Sequence, residues 1–211
     1  MSVEIENLTL GPIQANTYIV TDERTKECAV IDAGEFNEQL KDAVKDKNVK
    51  YILLTHGHFD HILGVYGLKK FTNAKVVIHP DDAECLKNGR KSLAFSLGAL
   101  MQNPVEADIL VNDGDCIKLG DTDIRVMHTP GHTKGGVCYI IENDRIIFTG
   151  DTLFALTVGR TDFEGGSDEE LLESVMRIAN LEGDYRLYTG HNRSTTLDCE
   201  RQRNRYLRRI K

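Results

Sequence analysis

The segment Thr55-His56-Gly57-His58-Phe59-Asp60-His61 gathers three imidazoles and a carboxylate into one short loop. All are ligand types for first-row metals. The loop follows the apolar run at residues 51–54 (Tyr-Ile-Leu-Leu), which reads as a buried strand. Ligands at the end of such a strand are held by a rigid element, as a metal centre requires. Three further expected strand ends carry the same residue types: Thr129-Pro130-Gly131-His132, Gly150-Asp151-Thr152 and Thr189-Gly190-His191. In each, Gly immediately precedes the candidate ligand, which permits a sharp turn and close backbone approach. The chemistry this construction points to is that of a metal centre assembled from several strand ends.

The elements needed to position these ends can be read from periodicity and turn residues. Strands are expected at 3–10, 17–20 and 28–32, a helix at 37–47 (Leu40 and Val44 four apart), and a strand at 51–54. A helix at 65–71 and a strand at 75–79 follow, and Pro80 is placed to open a helix continuing over 81–87. Residues 91–101 have helical composition and stop before Asn103-Pro104. The second half gives strands at 109–111, 116–119, 124–128, 137–141 and 145–148, a helix at 168–179, a strand at 185–188 and a final helix at 198–207. Each half thus supplies strands and then helices. That order suits an α+β, αββα arrangement: two mixed sheets packed face to face with helices outside. No internal repeat or low-complexity linker interrupts it.

The length of 211 residues fits one domain with a substantial core, taken here as 1–211. A net charge of −7 argues against a nucleic-acid partner, which would call for a basic surplus. The basic residues near the end (Arg201, Arg203, Arg205, Arg208, Arg209, Lys211) read as a solvated helix face. The N-terminus lacks the pattern of a secretory signal, and no apolar run is long enough to span a bilayer, so no membrane partner is expected. Five dispersed cysteines without a Cys-x-x-Cys suit reduced thiols and a cytoplasmic location; Cys28 and Cys138 lie in strand-like runs and are expected in the core. His79 and His128 are expected to pack or to bond loop backbone.

Taken together, these motifs resemble the metallo-β-lactamase superfamily over nearly the whole chain. The family's His-x-His-x-Asp-His motif is met by His56, His58, Asp60 and His61, and its later ligands by His132, Asp151 and His191. The resemblance implies one metal site of His56, His58 and His132, a second of Asp60, His61 and His191, and Asp151 as the bridging carboxylate. It implies two divalent ions, zinc first, with iron or manganese also compatible. Gly159-Arg160-Thr161-Asp162-Phe163, the opening Leu10-Gly11-Pro12-Ile13-Gln14-Ala15-Asn16-Thr17-Tyr18, and the tail Ser194-Thr195-Thr196, Glu200-Arg201 and Asn204 are similar to short glyoxalase II-like (hydroxyacylglutathione hydrolase-like) proteins. The C-terminal helical domain through which full-length glyoxalase II contacts glutathione is not expected. Thr189 stands where the family usually has Pro, and Asn192 where Gly is frequent, so the His191 loop is expected to differ in shape.

The implied activity is hydrolysis of a small-molecule thioester such as S-2-hydroxyacylglutathione by a metal-bridging hydroxide. Metal binding lowers the pKa of water to about 7. Asp60 and Asp151 would be the catalytic carboxylates, Asp60 orienting the hydroxide and Asp151 bridging the metals. A thiolate leaves without strong acid assistance, whereas an amide would need a proton donor. Arg160 is a candidate grip for an acidic substrate; pairing with Asp162 is the competing role. An iron-dependent persulfide dioxygenase and a lactonase are the alternatives the same residues admit.

Overall fold

The computed structural model describes residues 2–95 and 102–208. The first sheet holds β1 (Val3–Leu10), β2 (Ala15–Asp22), β3 (Glu27–Ile31), β4 (Asn48–Leu53), β5 (Lys75–Ile78) and β6 (Ile109–Leu110), side by side in that order. Its first three strands pair antiparallel, and β3 to β6 pair parallel. The second sheet contains β7 (Cys116–Leu119), β8 (Thr122–His128), β9 (Val137–Ile141) and β10 (Ile146–Gly150). A small hairpin, β11 (Leu153–Phe154) with β12 (Thr157–Val158), precedes its last strands, β13 (Arg186–Thr189) and β14 (Thr195–Thr196). The order across this sheet is β14-β13-β10-β9-β8-β7; β10 and β13 run parallel and the other pairs antiparallel.

Three apolar layers hold these sheets together, as the αββα arrangement requires. Val20, Ala29, Ile31 and Leu53 of the first sheet meet Val126, Tyr139 and Phe148 of the second in the central layer. On the outer face of the first sheet, Val30, Ile52 and Val76 pack with Leu40 of helix α1 (Glu38–Val44) and with Ile62, Val65 and Leu68. Those last residues belong to α2 (Phe59–Ile62) and α3 (Val65–Thr72). On the outer face of the second sheet, Ile140, Ile147 and Leu187 pack with Leu171, Val175 and Ile178 of α4 (Asp168–Ala179) and with Leu197. Leu197 opens α5 (Leu197–Arg203), which α6 (Arg205–Arg208) follows. Every residue of β2 is buried because it is covered on both faces, so it lacks the alternation of a half-exposed strand.

Local chemistry explains the helix starts. Asn37 accepts the Leu40 N–H and caps α1; Ser167 does the same for Glu170 in α4, whose first turn is acidic. Elsewhere the expected elements change. In place of the helix expected at 81–87 stands a tighter 3-10 helix, Pro80–Leu86, capped by the His79 ring. Of the helix expected at 91–101, the part at 96–101 lies outside the described residues; 91–95 form turns, and Leu93 sits at φ 66°, a left-handed conformation that no helix continues through. The final helix is broken at Asn204, whose backbone is extended (φ −73°, ψ 121°) while its buried side chain bonds Glu200 and the Thr157 carbonyl. Cys28 and Cys138 are fully buried, and all five cysteines are free thiols. Among the described residues no helix is long and apolar enough to cross a membrane.

The two sheets meet directly beneath the His-rich loop. Tyr139 on β9 donates its hydroxyl proton to the Leu54 carbonyl (2.9 Å), and Val137 N–H donates to the Thr55 carbonyl (2.8 Å). The C-terminal ends of β4 and β10 and the turn after β8 therefore open at one rim.

Candidate metal centre

The rim brings together all seven residues singled out as ligands, in two groups. Nitrogens of His56, His58 and His132 converge within 4.8 Å of one another, as do donor atoms of Asp60, His61 and His191. His58 Nδ1 faces His132 Nε2 at 2.9 Å, and His61 Nε2 faces His191 Nε2 at 3.2 Å. Asp151 stands between the groups: its Oδ2 is 3.5 Å from His132 Nε2 and 3.6 Å from His191 Nε2, and its Oδ1 is 3.5 Å from His61 Nε2. Asp60 Oδ2 lies 3.1 Å from His191 Nε2.

Bonds on the far side of the rings decide which nitrogen looks inward. The Thr55 hydroxyl donates to Asp32 Oδ2 (2.7 Å), so its oxygen accepts from His56 Nδ1 (3.1 Å) and the lone pair falls on Nε2. His61 Nδ1–H donates to Asp32 Oδ2 (3.0 Å), and His132 Nδ1–H to the Arg160 carbonyl (2.7 Å). These partners fix tautomer and ring orientation as outer partners of metal ligands do. Among the described residues, His56 Nε2 and Asp151 Oδ1 are buried without a hydrogen-bond partner, a cost of about 1–3 kcal/mol each if nothing binds them. Five imidazoles, four of them buried, and two carboxylates suit zinc, iron or manganese. Donor set and orphaned atoms together fit two divalent ions.

Charge is divided unevenly across the site. Burial, helped by the neighbouring His61, pushes His56 well below the usual imidazole range, and burial beside His132 brings His58 down to about 3. His61 goes the other way. Burial opposes its charge, but Asp151, Asp60 and Asp32 outweigh it and raise the ring to about 10. His191 is also raised: against burial, it is favoured by its bond to Asp60 and by Asp151. Burial raises Asp60, but His61 and His191 overcome it and hold the carboxyl below the usual carboxylate range.

The loops are shaped for these approaches. Gly131 has φ +126°, and a Cβ there would come within 2.3 Å of the Leu171 backbone in α4. A Cβ on Gly190 would lie 2.1 Å from Asp151 Oδ1, so only Gly allows the His191 strand end to meet the carboxylate. The His191 loop reaches its place despite Thr189 and Asn192. Thr189 Oγ1 donates to the His191 carbonyl (2.7 Å), and Asn192 adopts φ 62°, which Asn tolerates better than most residues. Asn16 ties the loop from the other side, bonding the Thr189 and Asn192 carbonyls (both 2.9 Å).

A cavity of about 410 Å³ opens over the two groups, walled by Ile13, Leu93, Phe154, Val158 and Phe163. Arg160 also lines it. Its guanidinium forks onto Asp162 (2.6 and 2.7 Å) and lies 4.0 Å over the Phe163 ring. Asp32, Asp82 and Asn16 were not singled out as site residues by sequence; the available signals were Asp32 at a strand end, Asp82 in the first turn after a strand and Asn16 in the Leu10–Tyr18 motif. His79 and His128 stack in parallel at 4.1 Å, and His128 Nε2 donates to the Lys134 carbonyl. Lone pairs lie in the ring planes, and these two planes are parallel and separate. The pair therefore cannot aim at one ion, although Asp81 lies nearby.

A model of the metallo-beta-lactamase superfamily matches residues 10–191. The chain belongs to that superfamily. Within the superfamily it is 31% identical to the hydroxyacylglutathione hydrolase GloC of Haemophilus influenzae over 97% of this chain and 98% of that one. The crystal structure of the BLEG-1 B3 metallo-beta-lactamase superposes with a TM-score of 0.92 at 31% identity, covering 97% of this chain and 99% of that one. TTHA1623, solved in a di-iron-bound form, gives 0.85 at 32% identity, covering 96% and 100%. ETHE1 from Myxococcus xanthus gives 0.78 at 27%, covering 96% and 83%.

Proposed function

We propose that this superfamily member is a binuclear metal-dependent hydrolase that cleaves a small-molecule thioester, with S-2-hydroxyacylglutathione as the leading substrate. The observation that carries the reading is Asp151, whose two oxygens face both donor groups at the floor of an apolar-walled cavity. The likeness to GloC over nearly the full length of both chains supports the substrate class.

His56, His58 and His132 would hold one ion, Asp60, His61 and His191 the other, with Asp151 common to both. Bound there, the ions would supply Lewis-acid polarisation of the scissile carbonyl and a lowered pKa for water. The chain's own residues do the rest. Asp60, kept ionised by His61 and His191, offers an acceptor for the proton of an attacking water. Ile13, Phe154, Val158 and Phe163 limit water on the substrate side. Apart from the candidate ligands, Arg160 is the titratable group among the residues lining this cavity, and a guanidinium is a poor proton donor. A thiolate leaving group, with a pKa of about 8.5, needs no such donor, whereas an amine does. Arg160, at the rim, would bind a substrate carboxylate.

The persulfide dioxygenase and lactonase alternatives, and the likeness to the BLEG-1 B3 metallo-beta-lactamase, define the competing activities to be measured. Protein loaded separately with zinc, manganese and iron should be given S-2-hydroxyacylglutathione, a lactone, a β-lactam, and glutathione persulfide with oxygen. Thioester hydrolysis well above the other rates supports the reading. Oxygen uptake on the persulfide by the iron form, without thioester cleavage, overturns it.

A further inference from the structure

We infer that Asp82 is a positioning residue that sets the geometry of the His56, His58 and His132 group and thereby its affinity for metal. The inference rests on the metal-centre reading above. Asp82 lies in the 3-10 helix Pro80–Leu86, is 3% exposed, and is not itself among the converging donor groups. Its carboxylate accepts three hydrogen bonds. The Gly57 N–H reaches Oδ2 at 2.8 Å, the Thr133 hydroxyl reaches Oδ2 at 2.8 Å, and the Gly135 N–H reaches Oδ1 at 2.9 Å.

These donors come from two segments distant in sequence. Gly57 sits between His56 and His58, and Thr133 adjoins His132. One buried carboxylate therefore clamps together the two loops that carry the three rings, on the side away from the cavity. The clamp has little slack. A Cβ on Gly135 would lie 2.7 Å from the Asp82 carboxyl carbon, and a Cβ on Gly57 would lie 2.6 Å from Cys85 Cβ. His58 Nδ1 and His132 Nε2 face each other at 2.9 Å across the joint that Asp82 fixes.

The other group is held differently. Asp32 bonds His61 directly and reaches His56 through Thr55. Asp82 makes no bond to the Asp60, His61 and His191 loops. Its effect should therefore fall on one site and spare the other, which a general packing role would not do. Asp82→Asn keeps the volume but turns an N–H toward donors that need an acceptor. Thr133→Val removes one of the three bonds and leaves the carboxylate.

The test is cobalt(II) titration of the metal-free protein, followed by d–d absorbance and competition with a chelator, beside thermal melting of the same samples. Wild type should take up two equivalents. Asp82→Asn should weaken one site ten- to a hundredfold with an altered spectrum for that equivalent, and leave the other within twofold. Thr133→Val should move the same site in the same direction by less, including if Asp82→Asn does not fold. In the zinc-loaded protein kcat should fall while KM stays within twofold. Unchanged affinities with only a lower melting temperature, or equal weakening of both sites, would overturn the assignment. Failure of the wild type to bind cobalt at all would instead remove the metal centre on which it depends.

Discussion

His61 Nδ1 lies 3.0 Å from Asp32 Oδ2, with both side chains buried, while its Nε2 faces Asp60 and Asp151 at 3.5 Å. Three carboxylates thus surround one ring, and without metal they keep it protonated, with its pKa pushed up to about 10. A metal ligand must be neutral, so loading this group at pH 7 has to expel a proton.

That asymmetry predicts how the two groups differ with pH. Burial keeps His56 and His58 neutral at pH 7, so neither of these two rings should release a proton on loading. The Asp60, His61 and His191 group should release at least the His61 proton, with His191, also raised, adding to it, and its affinity should rise roughly tenfold or more per pH unit up to about 10. Calorimetric titration in buffers of different ionisation enthalpy reads the proton count. Equal release at both steps would contradict the assignment of charge.

The metal-free protein should also show two opposing stability trends. The raised His61 contributes stability that is complete below its unfolded value of about 6.5 and is lost as pH climbs through about 10. The depressed His58 leaves the fold unpenalised above about 6.5, and stability falls as pH drops from there toward about 3 because the unfolded ring binds the proton. Melting curves of chelator-treated protein should therefore give a maximum near neutrality, and adding zinc should raise the melting temperature most on the alkaline side.

Glu200 holds the wall of the cavity. It is fully buried and accepts from Leu156 N–H (2.8 Å), Asn204 Nδ2 (2.9 Å) and Thr195 Oγ1 (2.8 Å), fixing the β11–β12 hairpin that presents Phe154 and Val158. Glu200→Gln places a donor against donors and should cost about 1–3 kcal/mol of stability. Steady-state kinetics should show KM rising severalfold with metal content unchanged. Loss of metal instead would place the residue's influence at the ligands.

Arg160 contacts solvent, Asp162 and the Phe163 ring, while its carbonyl serves His132. Arg160→Ala leaves that carbonyl in place. It should raise KM for a carboxylate-bearing thioester about three- to tenfold with kcat within twofold, and leave an uncharged thioester unaffected. A fall in kcat for both substrates would mean that the side chain only shapes the loop.

That the seven candidate ligands converge was legible because strong residue types recur at one kind of place, the end of an apolar strand, with Gly before His132, Asp151 and His191. The layering was legible because each half supplies strands and then helices. Asp32 and Asp82 were not, since by pattern they read as the end of a strand and the first turn of a helix, and their value lies in donors distant in sequence. The hairpin at Leu153–Val158 has strands too short for periodicity. The composition at 91–95 suggested a helix, but Leu93 takes a left-handed backbone. The Thr189 hydroxyl bond and the left-handed Asn192 shape the loop that places His191, an effect of backbone conformation that residue types alone do not display.

The central claim is that Asp151 joins two metal sites into one hydrolytic centre. The most direct test measures bound metal and thioester cleavage in the same preparations of wild type and Asp151→Ala. Two equivalents of metal with S-2-hydroxyacylglutathione hydrolysis in the wild type, and loss of both metal and activity in the variant, is the predicted result. Thioester cleavage that survives in Asp151→Ala, or a fully metal-loaded wild type that cleaves no thioester, would contradict it.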